Sequence, residues 1–151
     1  DTMVIGVYIF YNLIYALFAF PVGIIADKVG LKTIFIIGLF LFAIVYSVMS
    51  VASSLAVYVA LFFLYGVYAA ATEGISKAWI SNITDKKDTA TAIGMYAGFQ
   101  SICTLFASSL AGLIWYNFGA GATFIITALI TVLVIIYFLF SVPNPETAKA
   151  N

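Results

Sequence analysis

Histidine and arginine are both absent from these 151 residues. Without histidine there is no imidazole for a metal site, a proton relay or a serine–histidine pair. A single cysteine, Cys103, excludes an internal disulfide and any metal-binding cysteine spacing. Charge is scarce as well. Only 8% of residues are Asp, Glu, Lys or Arg, against about 25% in an ordinary soluble domain. Net charge is zero, so no basic surface is available for nucleic acid. No phosphate-binding glycine loop occurs, so neither ATP use nor another cofactor is implied. No nucleophile stands beside a base, which argues against an enzyme.

What fills the chain is apolar. Hydrophobic residues make up 65%, and mean hydropathy is +1.18. A soluble fold of this length needs more polar side chains over its outside, so the lipid bilayer is the expected solvent. A bilayer core of about 30 Å asks for roughly 20 apolar residues in a helix. Five segments satisfy it: 3–26, 33–49, 55–80, 90–116 and 122–142. The runs are continuous rather than alternating, so helices and not barrel strands are expected. The predicted fold is all-α transmembrane, a five-helix segment over 1–142 with a short cytoplasmic tail over 143–151.

The breaks carry turn chemistry. Gly30 occupies the first, Ser50 to Ser54 the second, Ser81 to Asp88 the third, and Asn117, Gly119 and Gly121 the fourth. Asp88 or Thr89 suits the cap of the helix that follows, since a side-chain oxygen there can accept a free amide hydrogen. Pro143 and Pro145 discourage further helix. Lysine placement orients the set. Lys28, Lys32, Lys77, Lys86, Lys87 and Lys149 all fall on one side of a five-span topology. Chance would arrange that in about one case in thirty, and short basic loops stay cytoplasmic. The C-terminus is therefore expected inside and Asp1 outside, in a bacterial cytoplasmic (inner) membrane. The start at Asp1 rather than Met suggests that a preceding segment is absent.

The first interior charges sit in a knot, GIIADKVGLK, Gly23 to Lys32. Asp27 follows Gly23 by four residues, so both share one side of a helix end. Gly23 permits close helix approach, and Gly30 a tight reversal. Asp27 can accept hydrogen bonds from the next helix's amides or pair with a lysine. Either contact would latch two helices at the cytoplasmic side. A plain anchored turn is the blander reading.

The knot resembles the cytoplasmic loop signature of the major facilitator superfamily, matched at Gly23, Asp27, Lys28, Gly30 and Lys32. Leu31 departs from it where a basic residue is common. The blocks LYGVYAAATEGISKAWISNI, DTATAIGMYAGF and LAGLIWYNFGAGATF also resemble the second half of such transporters. The resemblance implies that the five spans correspond to helices eight to twelve of twelve. It also implies that an N-terminal six-helix bundle and helix seven are missing partners, and that the parent protein moves a small organic solute by alternating access. The segment alone would be inactive. A membrane scaffold or subunit without transport of its own is the alternative.

Residues for such a pathway follow from polarity inside the spans. Glu73 and Lys77, four apart, form either a neutralised ion pair near the surface or a cavity charge. Tyr8, Asn12 and Tyr15 share one side of the first span. Tyr65, Tyr68 and Thr72 extend a mixed surface on the third. Gln100, Thr104 and Ser108 form a polar stripe on the fourth, suited to solute contact or to interhelical hydrogen bonds. Gly94 and Gly98 read as a packing notch, Gly66 as a packing glycine, and Trp79 and Trp115 as interfacial anchors. The cavity candidates are thus Tyr8, Asn12, Tyr15, Tyr65, Thr72, Glu73, Gln100 and Thr104.

Overall fold

A chain whose side chains suit lipid must satisfy its backbone internally, and helices do so. The computed structural model describes residues 2–142, with side chains from residue 5 onward; the tail expected over 143–151 lies outside the described residues. Four helices make it up: α1 (Thr2–Val29), α2 (Leu31–Met49), α3 (Leu55–Ile83) and α4 (Thr89–Ser141). Each is long and apolar enough to cross a membrane.

Among the described residues there are four such helices, not the expected five. The expected fourth and fifth spans belong to one element, α4, of 53 residues. The expected loop at Asn117–Gly121 shrinks to one residue. Only Gly119 leaves helical geometry, at φ 84° and ψ 173°. The helix continues on both sides, where side chains also bond back one turn: Asn117 Nδ2 donates to the Leu113 carbonyl at 2.8 Å, and the Thr123 hydroxyl to that of Gly119 at 3.2 Å. Glycine composition signals a break but not its length, and here one residue suffices.

The knot is also more helical than expected. Asp27 and Lys28 lie in the last turn of α1, and Gly30 alone, at φ 95°, separates α1 from α2. At α3 the Ser54 hydroxyl accepts from the Val57 amide at 3.4 Å, an N-cap. Asp88 occupies the N-cap position of α4 without a side-chain bond, while the Thr89 hydroxyl turns back to the Asp85 carbonyl at 3.0 Å.

Packing centres on α3, which lies against both α1 and α2, while α2 also packs on α4. The pair α1 and α3 runs parallel. At its waist Gly66 meets Ile14 so closely that a Cβ on Gly66 would stand 2.8 Å from the Ile14 side chain. Past Gly119, α4 descends antiparallel to α2. Its Gly121 lies near the Ser50 carbonyl, Phe124 meets Tyr46 edge to face at 5.6 Å, and Phe138 meets Phe35 at 5.2 Å. Trp79 joins Phe35 and Phe138 at 6.3 and 6.2 Å, so it packs between helices rather than serving only as the expected interfacial anchor. Buried polar groups on α4 are satisfied locally: Thr123 and Thr131 donate to carbonyls four residues back, at 3.2 and 2.8 Å. An apolar cluster of Ala26, Ile34, Ala71 and Ile75 fastens α1, α2 and α3 at the end that carries the lysines.

Candidate functional site

The α1–α3 seam is closed at its waist and open on either side of it. Toward the N-terminal ends of both helices lies a cleft of about 510 Å³. Its walls are the rings of Tyr8, Tyr11, Tyr58, Phe62 and Tyr65, with Val7 and Leu55 at the edge. Toward the lysine end lies a smaller one of about 240 Å³, where Asp27 and Tyr15 stand among small residues such as Gly23, Gly74 and Ala78. A Cβ on Gly23 or Gly74 would meet nothing within 4 Å. Those two glycines therefore leave room beside Asp27, whereas Gly66 removes room at the waist.

Helical spacing explains the aromatic walls. Tyr8, Tyr11 and Tyr15 recur at three and four residues on α1, as do Tyr58, Phe62 and Tyr65 on α3. The Tyr11 and Tyr65 rings meet at 5.2 Å, and Tyr8 reaches Tyr11 at 6.2 Å. The Tyr58 hydroxyl donates to the Ala52 carbonyl at 3.0 Å, which fixes its ring. From Tyr65 the contacts continue through Tyr68 (5.3 Å), Phe42 (4.6 Å) and Tyr46 (4.1 Å) to Phe124, and from there to Trp115 at 5.9 Å. Eight rings thus connect all four helices.

The sequence-derived candidates scatter over this frame. Tyr8 and Tyr65 line the aromatic cleft, and Tyr15 the Asp27 cleft. Asn12 spends its amide on the Tyr8 carbonyl at 2.8 Å, inside its own helix. Thr72 is buried, its hydroxyl bonded to the Tyr68 carbonyl at 2.9 Å and its methyl facing Gly38 of α2. Glu73 and Lys77 are both exposed on α3, one turn apart. Gln100, Thr104 and Ser108 stand on a part of α4, residues 97–110, that is exposed throughout. A Cβ on Gly94 or Gly98 would touch nothing there. Tyr11, Tyr58 and Phe62 were not among the candidates, although their i, i+3, i+4 and i+7 spacing was the available signal.

The knot residues divide between two contacts. Gly30 makes the reversal, and Lys32 donates from its ammonium to the Val142 carbonyl at the close of α4. No side chain caps the N-terminus of α2, so Asp27 does not serve its amides. Asp27 belongs instead to the α1–α3 cleft.

The reversal between α1 and α2 is thus a single glycine, with Asp27 in the preceding turn and Lys32 beyond it, and the latch from Asp27 to the amides of α2 is not formed. The profile of the Major Facilitator Superfamily matches residues 2–151. The chain belongs to the major facilitator superfamily. An uncharacterized MFS-type transporter of Methanocaldococcus jannaschii is 36% identical over 111 residues, which make up 74% of this chain and 28% of that relative. The chain thus spans little more than a quarter of the relative's length. Membership in the major facilitator superfamily makes it an integral membrane protein of a transporter family, and not an enzyme.

Proposed function

We propose that this major facilitator chain forms part of one half of a secondary transporter, which moves a small organic solute by alternating access. The observation that carries this reading is the α1–α3 seam, tight at Ile14 and Gly66 and open on both sides of it. A wall that must be reached in turn from either side of a membrane needs openings toward both, with a close contact between them. Family membership supports the same mechanism, since such folds work by rocking two halves around a midplane site.

The stretch 97–110 of α4 supports a larger assembly. It is exposed throughout, and it carries Gln100, Thr104 and Ser108 among apolar residues. Polar side chains in a membrane interior pair across helices or line a pathway. The natural cover is the rest of the parent chain, namely an N-terminal six-helix bundle and a further helix of the same half. The lysine end, with Lys28, Lys32, Lys77, Lys86 and Lys87, is read as cytoplasmic.

The test is cysteine accessibility in the full-length protein, in a background lacking Cys103. Single cysteines at Tyr8 and Gly23 report the two openings. Solute or gradient should change their labelling in opposite directions. Labelling that rises and falls together, or never changes, would favour a static scaffold.

A further inference from the structure

We propose that the aromatic cleft between α1 and α3 binds a lipophilic organic cation. This rests on the transport reading above and names its substrate class. Five rings, those of Tyr8, Tyr11, Tyr58, Phe62 and Tyr65, face a volume of about 510 Å³. Ring faces carry negative potential and attract cations, most strongly where water is excluded.

The other solute classes lack partners there. An anion needs a basic group, but the chain has no arginine. The nearest lysine along α3 is Lys77, twelve residues beyond Tyr65 and roughly 18 Å further along the helix. A sugar needs several polar groups that converge on its hydroxyls. The cleft offers only tyrosine hydroxyls, and that of Tyr58 already donates to Ala52. A cation finds rings on both walls. It also finds one acid in the body of the helices, Glu73, two turns beyond Tyr65 on α3 and roughly 12 Å along it. The ring quadrupoles and the nearest charged side chain along α3, Glu73, thus carry the sign a cation requires.

The experiment uses the full-length purified protein and two probes of nearly equal size and shape, tetraphenylphosphonium and tetraphenylborate. Equilibrium binding should be saturable for the phosphonium and not for the borate. Tyr11→Leu and Tyr65→Leu should each weaken phosphonium binding about two- to thirtyfold, the range expected for one cation–ring contact. Tyr11→Phe and Tyr65→Phe, which keep the ring, should stay near the parent affinity. If a leucine variant fails to fold, Tyr8→Leu takes its place, since Tyr8 is 66% exposed and supports no core. Equal binding of both ions, or leucine variants that fold and bind unchanged, would overturn the proposal. So would a protein that binds neither ion while its Tyr8 and Gly23 positions still alternate in accessibility. That last result would leave transport standing and remove only the cation.

Discussion

The ammonium of Lys32, at the start of α2, donates to the carbonyl of Val142, where α4 ends. Residues 110 positions apart are thereby joined, and a helix C-terminus gains a positive charge where its free carbonyls favour one. Lys32→Met should loosen α4 from α2 and cost about 1.5–3 kcal/mol, the usual range for a hydrogen bond to a charged group. Lys32→Arg should retain most of it. Thermal unfolding in detergent reads the difference; identical midpoints for Met and Lys would make the contact incidental.

Gly119 tests a backbone rather than a contact. A Cβ there would meet no neighbour within 4 Å, yet the conformation is one that only glycine adopts readily. Gly119→Ala should destabilise by about 1–3 kcal/mol through strain alone. Gly98→Ala, equally open and without a positive φ, should change stability little. Matching effects in the two variants would show that α4 passes residue 119 without the bend.

Gly66→Ala should act through crowding. The added methyl would stand 2.8 Å from Ile14 and 3.1 Å from the Tyr11 carbonyl. Overpacking of this kind costs about 1–3 kcal/mol. It should also widen the waist, so labelling of cysteines at Tyr8 and Gly23 should lose its opposition. A variant with normal stability and normal alternation would mean that the seam yields freely.

Asp27→Asn should insert and fold normally but slow exchange between the two accessibility states. Asparagine fills the same cleft with a weaker acceptor. The measurement is the interconversion rate at equal surface expression. An unchanged rate would reduce Asp27 to a helix-end residue.

Glu73 and Lys77 call for a cycle of three variants. If the two neutralise each other, Glu73→Gln with Lys77→Met should be tolerated better than either single change, which strands a charge in a poor solvent. If Glu73 draws cations toward the rings, the double variant should fold yet lose uptake. Initial uptake rates across a pH series, normalised to folded protein, separate these outcomes.

Much of the frame was legible in the sequence because lipid imposes a simple rule: long apolar runs become helices. Helices over the first three apolar runs followed from that rule, whereas the Ser54 cap became visible only in the structure. The fourth boundary did not follow from the rule. Asn117, Gly119 and Gly121 have the composition of a loop, but whether one residue or five leave the helix depends on bonds such as Thr123 to Gly119, which composition does not encode. Side-chain roles were harder still. Thr72 looked like a cavity residue because it is polar, yet its hydroxyl bonds its own helix and its methyl packs on α2. Tyr11 does not stand out in a chain so rich in tyrosine, and only the pairing of α1 with α3 sets it against Tyr65.

The run of rings from Tyr8 to Trp115 has an optical consequence. Neighbouring ring centres lie between 4.1 and 6.2 Å apart along it. Light absorbed by a tyrosine near the cleft can pass by resonance to the indole of Trp115, the lowest-energy chromophore on the line. Anything that shifts α1 against α3 alters the donor end, while the emission is collected on α4. Once Trp79 is replaced by Phe, tyrosine-sensitised emission from Trp115 becomes a reporter of that seam with no label attached.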